Sequence, residues 1–175
     1  MRTKLLLLIA VAVVVWGLKR HYSDSRADEL RWILGPTARL VEVTTGTAFT
    51  VAPGEGYVSH ERLFLIEKAC AGINFMAAAF GMLVLGLVHR ARSAVSFGGV
   101  LAVSLIASYV AAVIVNAARI VIAMWLATHP LMLTPLTATD VHRIEGIAVY
   151  FGGLVVLYEL ARRVDRSALV ARCGR

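Results

Sequence analysis

The sequence predicts an all-α polytopic membrane protein of about four transmembrane helices, with a small extracytoplasmic segment of helix and β-hairpin between the first two spans. Three observations carry this. Of 175 residues, 59% are hydrophobic and 17% charged, with a mean hydropathy of +0.75; a soluble domain runs at roughly 45–50% apolar and 25% charged. Apolar runs of near-spanning length recur at approximately 5–20, 69–88, 94–116 and 144–160. The polar stretch 21–68 holds seven of the eleven acids, from Asp24 and Asp28 to Glu67.

The net charge of +7 does not point to nucleic acid, because the cations flank apolar runs and no basic run is interleaved with aromatics. They are topology signals for a chain whose first partner is the lipid bilayer. Two cysteines, Cys70 and Cys173, are too few for a disulfide framework. Neither sits in a Cys-x-x-Cys or Cys/His cluster, so no metal and no cofactor is expected.

The amino terminus has the charged-then-apolar form of a secretory signal, Met-Arg-Thr-Lys followed by Leu5 to Leu18. No small-x-small pair follows it, and the reading is an uncleaved first span with Lys4, Lys19 and Arg20 snorkelling and Trp16 near an interface. In the polar stretch, Leu30, Ile33 and Leu34, then Leu40, Val41 and Val43, recur at near-helical spacing, and Gly35-Pro36 between them predicts two short interfacial helices. Ala48 to Val51 and Tyr57 to Ile66 are rich in β-branched and aromatic residues around Pro53-Gly54-Glu55-Gly56, which predicts a hairpin.

The second span, from Ala69, carries Ala77, Ala78, Ala79, Gly81 and Gly86, small residues that let helices approach closely. His89, Arg90 and Arg92 close it. The third begins at Ala94 and runs on past Asn116 and Arg119 into Ile120 to Ala127 before Pro130 and Pro135 break the pattern. The fourth is closed by Arg162, Arg163 and Arg166, ahead of Arg172 and Arg175. Cation-rich, acid-poor segments at Arg90 to Arg92 and after Leu160 are cytoplasmic by the positive-inside rule, which leaves 21–68 and 128–143 extracytoplasmic. Lys19 and Arg20 dissent. Splitting Ala94 to Ala127 into two spans is the alternative, and it would leave Arg119 near mid-bilayer.

Under the four-span topology Cys70, Arg119 and His142 reach one membrane face. Each has a bland reading as buried filler, snorkelling cation or interfacial histidine. Together they assemble acyl-transfer chemistry, in which a thiolate attacks, a histidine moves protons and a guanidinium stabilises the oxyanion. Cys70 is expected at a helix start, where unpaired amides and the dipole favour the thiolate. Asn116, three residues before Arg119, shares its helix face. Asp140 or Glu145 could hold the tautomer of His142; His60 and His129 compete with it for the base role; Glu67 reads as half of a solvated pair with Lys68. Cys173 falls in the cytoplasmic tail.

The order Cys-x-Gly at a span start (Cys70, Gly72), Asn-x-x-Arg-Ile at the end of a later span (Asn116, Arg119, Ile120) and a histidine opening the last (His142, then Gly146) resembles the exosortase/archaeosortase family, closest to the exosortase K type. The resemblance covers roughly residues 36–160. It implies a membrane cysteine peptidase or transpeptidase of the cell (inner) membrane. Its partners are exported protein substrates bearing a carboxy-terminal sorting signal of short motif, transmembrane helix and basic tail. Carried over, Cys70 is the nucleophile, His142 the general acid/base and Arg119 the oxyanion stabiliser, with Asn116 and Gly72 in support. Ala71 stands where the family often has Ser or Thr, and the chain has fewer amino-terminal spans than larger members. The rival reading from another class is a non-enzymatic helper or scaffold subunit of a membrane export or transport complex. A channel or transporter is disfavoured because the spans carry few polar residues to line a path.

Overall fold

A computed structural model of the chain describes residues 2–88, 94–129 and 137–173. His89, Arg90, Arg92, Pro130, Pro135 and Arg175 lie outside the described residues, as do the side chains of Arg166, Arg172 and Cys173.

The first apolar run forms α1 (Arg2–Asp24). It packs through Leu7, Val11, Val14 and Val15 against Phe80, Val84 and Val100. Leu5, Leu6, Leu8, Ile9, Val13 and Trp16 are left exposed. Such a surface suits lipid better than water. The same holds along α4 (Ala94–Thr128) and α5 (Ala138–Cys173), where Val95, Ile106, Ile114, Ile147, Phe151 and Val156 face outward. With α3 (Ile73–Gly86) and the turn before it, four helices are long and apolar enough to cross a membrane, the make-up of a multi-pass helical membrane protein.

Between α1 and α3 the chain folds a helix and a small sheet. A 3-10 turn (Ala27–Leu30) opens it, with the Glu29 carboxylate accepting from the Arg26 N–H at 2.7 Å. Next comes α2 (Arg31–Thr45), which buries Ile33, Leu34, Thr37, Ala38 and Val41, a stripe at helical spacing, against the second half of α4. The two short helices expected here are one. Pro36 lies inside α2 and cannot donate to the Trp32 carbonyl one turn back. The Tyr109 hydroxyl of α4 donates to that carbonyl instead, at 2.8 Å, and its ring stacks on Trp32. The helix ends at Gly46 (φ +69°), and Val43, expected among the inward residues, is exposed.

The hairpin is a three-stranded antiparallel meander, β1 (Thr50–Ala52), β2 (Gly56–Ser59) and β3 (Phe64–Ile66). Val51 pairs with Tyr57, and Tyr57 with Ile66. The expected turn at Pro53-Gly54-Glu55 separates β1 from β2. A second turn at His60 to Leu63 divides the stretch that the sequence predicts as one strand. Gly56 permits the sheet, since a Cβ there would lie 2.2 Å from the Ile66 carbonyl oxygen. Asp28 ties turn to helix: its carboxylate accepts from Arg31 at 2.6 Å and from the Gly54 N–H at 2.7 Å. The Arg31 hydrogen bond first, then that of Gly54, holds the Asp28 carboxyl below the usual carboxylate range.

Two of the helices reach beyond the spans expected within them. The helix that contains the third span continues past Asn116 along the apolar run to Thr128, without the reversal that two separate spans would need. The last helix begins at Ala138, six residues before 144. Of the small residues on α3, Ala77 and Ala79 are buried and Gly81 faces Val11, while Gly86 has nothing within 4 Å. A close helix approach lies on α5, where a Cβ at Gly153 would meet both Val115 methyls at 2.8 Å and Phe75 at 3.2 Å.

Candidate active site

Three backbone choices build the turn that carries Cys70. Glu67 is extended and precedes a 3-10 turn (Lys68–Ala71), in which the Cys70 N–H donates to the Glu67 carbonyl at 2.8 Å. Gly72 is left-handed (φ +67°), and the first helical bond of α3 runs from the Met76 N–H to the Gly72 carbonyl. Glycine is required there twice over, because a Cβ would also lie 3.2 Å from Asn116 Cγ. Cys70 therefore does not occupy the first turn of the spanning helix, as the sequence predicts. The positive φ at Gly72 separates it from α3, whose unpaired amides begin at Ile73.

Lys68 fixes this turn to α1. Its ammonium donates to the carbonyls of Ser23 at 3.1 Å and Ser25 at 2.7 Å, and lies 4.9 Å over the Tyr22 ring. From the other side, α4 reaches the turn through Asn116, which is 1% exposed and donates through Nδ2 to the Cys70 carbonyl. The Asn116 Oδ1 accepts from the Tyr150 hydroxyl at 2.9 Å, and Tyr150 in turn accepts from Arg119 Nη1 at 3.2 Å. Arg119 Nη2 is 3.4 Å from His142 Nε2, and His142 Nδ1 is 3.6 Å from a Glu145 carboxylate oxygen. A continuous polar chain thus runs from the Cys70 backbone through Asn116, Tyr150, Arg119 and His142 to Glu145.

Arg119, His142 and Tyr150 of this chain line a cavity of about 390 Å³, walled also by Tyr22, Ala69, Gly72, Asn74, Arg143 and Gly146 among others. Ala69 and Gly72 flank Cys70, which is half-buried in the apolar cluster beneath and lies within Coulomb range of Arg119. Among the described residues no hydrogen bond joins the Cys70 thiol to His142. Arg119 and His142 are thus brought together, and Asn116 and Gly72 hold the turn, while of that pair the thiol lies within Coulomb range of Arg119 alone.

The competing residues have other occupations. His60 is exposed on the turn after β2. His129 stacks on Trp125 and lines a different cavity, of about 330 Å³, with Thr45 and Phe64. Asp140 is spent on the start of α5, where its carboxylate accepts from the Thr137 N–H at 3.0 Å and hydroxyl at 2.7 Å, and its own N–H returns the bond at 3.2 Å. Glu67 shapes the turn through its backbone. Among the described residues no group of three or more His, Cys, Asp and Glu could hold a metal ion.

Tyr150 is missing from the sequence-based candidates. Its signal was present: eight residues after His142 and four after Gly146, it lies on their helix face. The close approach of Arg119 is likewise written at Gly146, where a Cβ would sit 3.0 Å from Arg119 Nε. Compared with protein-family models, curated proteins and solved structures, the chain matches none. The exosortase resemblance accordingly stands on Cys70 and Gly72, Asn116, Arg119 and Ile120, and His142 and Gly146.

Proposed function

We propose that the protein is an exosortase-type cysteine peptidase or transpeptidase that processes carboxy-terminal sorting signals of exported proteins. The single observation that carries this reading is the polar chain that links the Cys70 turn to a contacting Arg119–His142 pair at the rim of one cavity. Depth supports it as well. Asn116 lies 21 residues beyond Val95 on α4, roughly 32 Å at the helical rise. That is about one hydrocarbon thickness, so the site would sit at a membrane surface. By the charge of the flanking segments this is the extracytoplasmic face.

In this reading the Cys70 thiolate, its proton taken by His142, attacks the scissile carbonyl, and the resulting oxyanion is stabilised by Arg119. Collapse of the tetrahedral species to a thioester expels the amine, which takes the proton back from imidazolium. Water then completes a hydrolysis, or an acceptor amine completes a transfer. A substrate tethered by its own helix arrives by lateral diffusion, so its effective concentration replaces a deep binding pocket.

Co-expression with an exported protein ending in a helix and basic tail tests the proposal through the mobility shift of the substrate. Cys70→Ala should abolish the shift with membrane insertion unchanged, and Arg119→Ala should slow it by about 10²–10³-fold. Full processing by the Cys70→Ala protein would overturn the nucleophile assignment. The packing of Cys70 against the apolar cluster favours a second reading, a helper or scaffold subunit in which the thiol is filler. That reading expects labelling of Cys70 by a thiol-reactive peptide mimic, applied from the outer side, to be the same with and without His142; the enzyme reading expects it to depend on His142.

A further inference from the structure

Glu145 ends the polar chain, and the catalytic scheme leaves it unused. Its side chain is nine-tenths buried, and neither carboxylate oxygen has a hydrogen-bond partner among the described residues. A buried carboxylate in that state is costly and persists only beside a group that compensates it. Two such groups are at hand. Arg119 lies within Coulomb range from α4, and His142 Nδ1, one helical turn back on α5, is 3.6 Å from Oε2.

The other side of the imidazole settles which proton it carries. A guanidinium has donors and no acceptor. The contact between Arg119 Nη2 and His142 Nε2 at 3.4 Å is therefore attractive only when Nε2 is the bare nitrogen. The proton of the neutral ring then belongs on Nδ1, the nitrogen that faces Glu145. We infer that Glu145 is a positioning residue that holds His142 in the Nδ1–H tautomer, so that the Nε2 lone pair faces Arg119 and the cavity.

Both distances are long for hydrogen bonds, and closure of each by about 0.5 Å completes the arrangement. Asp140, the other carboxylate near His142, cannot substitute, because both its carboxylate bonds go to Thr137. Among the described residues, the other polar side chains that wall this cavity are Arg143 and Tyr150 on α5, Tyr22 on α1 and Asn74 on α3. Neither Tyr150, whose hydroxyl is committed to Asn116, nor the donor-only Arg143 offers Nδ1 a carboxylate.

The tautomer itself does not depend on the peptidase reading; its catalytic meaning does. The test is therefore made first without substrate, by ¹⁵N chemical shifts of histidine-labelled full-length protein in nanodiscs, with His142 assigned by its loss in His142→Asn. The neutral ring should show Nδ1–H in the wild type and in Glu145→Gln, which keeps an acceptor, and the Nδ1–H population should fall in Glu145→Leu, where Arg119 alone favours it. Nε2–H in the wild type, or an Nδ1–H population unchanged in Glu145→Leu, would overturn the inference. If Glu145→Leu fails to insert, Glu145→Ala makes the same comparison. In the processing assay, Glu145→Leu should lower kcat by roughly 10²-fold with KM little changed, and Glu145→Gln should recover at least about tenfold of that. An altered tautomer without any processing by the wild type would retain the inference and remove the enzyme.

Discussion

Gly72 carries two demands at one position, a left-handed backbone and the close approach of Asn116. Gly72→Ala should cost about 1–2 kcal/mol for the backbone alone, as for any L-residue in that region. It should also push Asn116 off the Cys70 carbonyl and change the alkylation rate of the thiol. Gly86→Ala is the control, with nothing within 4 Å of its Cβ position and no positive φ; melting in detergent and thiol kinetics on both variants make the check. Much of this site was legible at the level of single residues. Cys70, Arg119 and His142 announce themselves because thiols, guanidinium groups and imidazoles are rare in apolar runs. Tyr150 does not, since a tyrosine in a spanning helix is ordinary, and only the facing positions on α4 reveal what its hydroxyl meets.

The elements show where local rules fail. Gly35-Pro36 is a sound stop-and-start signal by itself, and α2 overrides it because a hydroxyl 77 residues downstream satisfies the carbonyl that proline orphans. Tyr109→Phe should therefore destabilise the protein by about 1 kcal/mol. The loss should shrink in a Pro36→Ala background, where the restored N–H takes over the Trp32 carbonyl, and a double-mutant cycle on denaturant unfolding measures the coupling. The second turn of the meander was hidden for a different reason. Its left-handed residue is Leu63 (φ +50°), where the sequence offers no glycine or asparagine to mark it. Hydropathy, by contrast, found all four long apolar helices, since α1, α4 and α5 turn apolar residues outward and α3 is apolar on its buried faces as well.

Across the whole molecule, two apolar clusters divide the bundle. A small one joins Leu7, Phe80, Val84 and Val100, and a large one gathers α2, the sheet, the start of α3 and the middle of α4 around the candidate site. Between α1 and α3, Asp28 ties the helical half to the turn between β1 and β2, and Glu42 of α2 accepts from the Phe49 N–H just ahead of β1. With the carboxyl of Asp28 lowered below its ordinary 3.8, the stabilisation is complete above that value and is lost as pH falls through the folded-state value. Limited proteolysis in the Pro53 to Gly56 turn should accelerate below about pH 3.8, and Asp28→Asn should show the faster cleavage already at neutral pH. The division between clusters follows from contacts far apart in the chain, which no periodicity encodes, whereas the gross order of spans follows from hydropathy alone.

Lys68 gives the fold a neck. By binding the Ser23 and Ser25 carbonyls 43 to 45 residues back in the chain, it closes everything from Arg26 to Glu67 into a loop whose two ends meet at one ammonium group. The entropic cost of enlarging such a closed loop rises only with the logarithm of its length. Length changes in its turns, such as Pro53 to Gly56, leave the distance from α1 to Cys70 fixed, whereas α2, packed on α4, is the part of the loop that must keep its length.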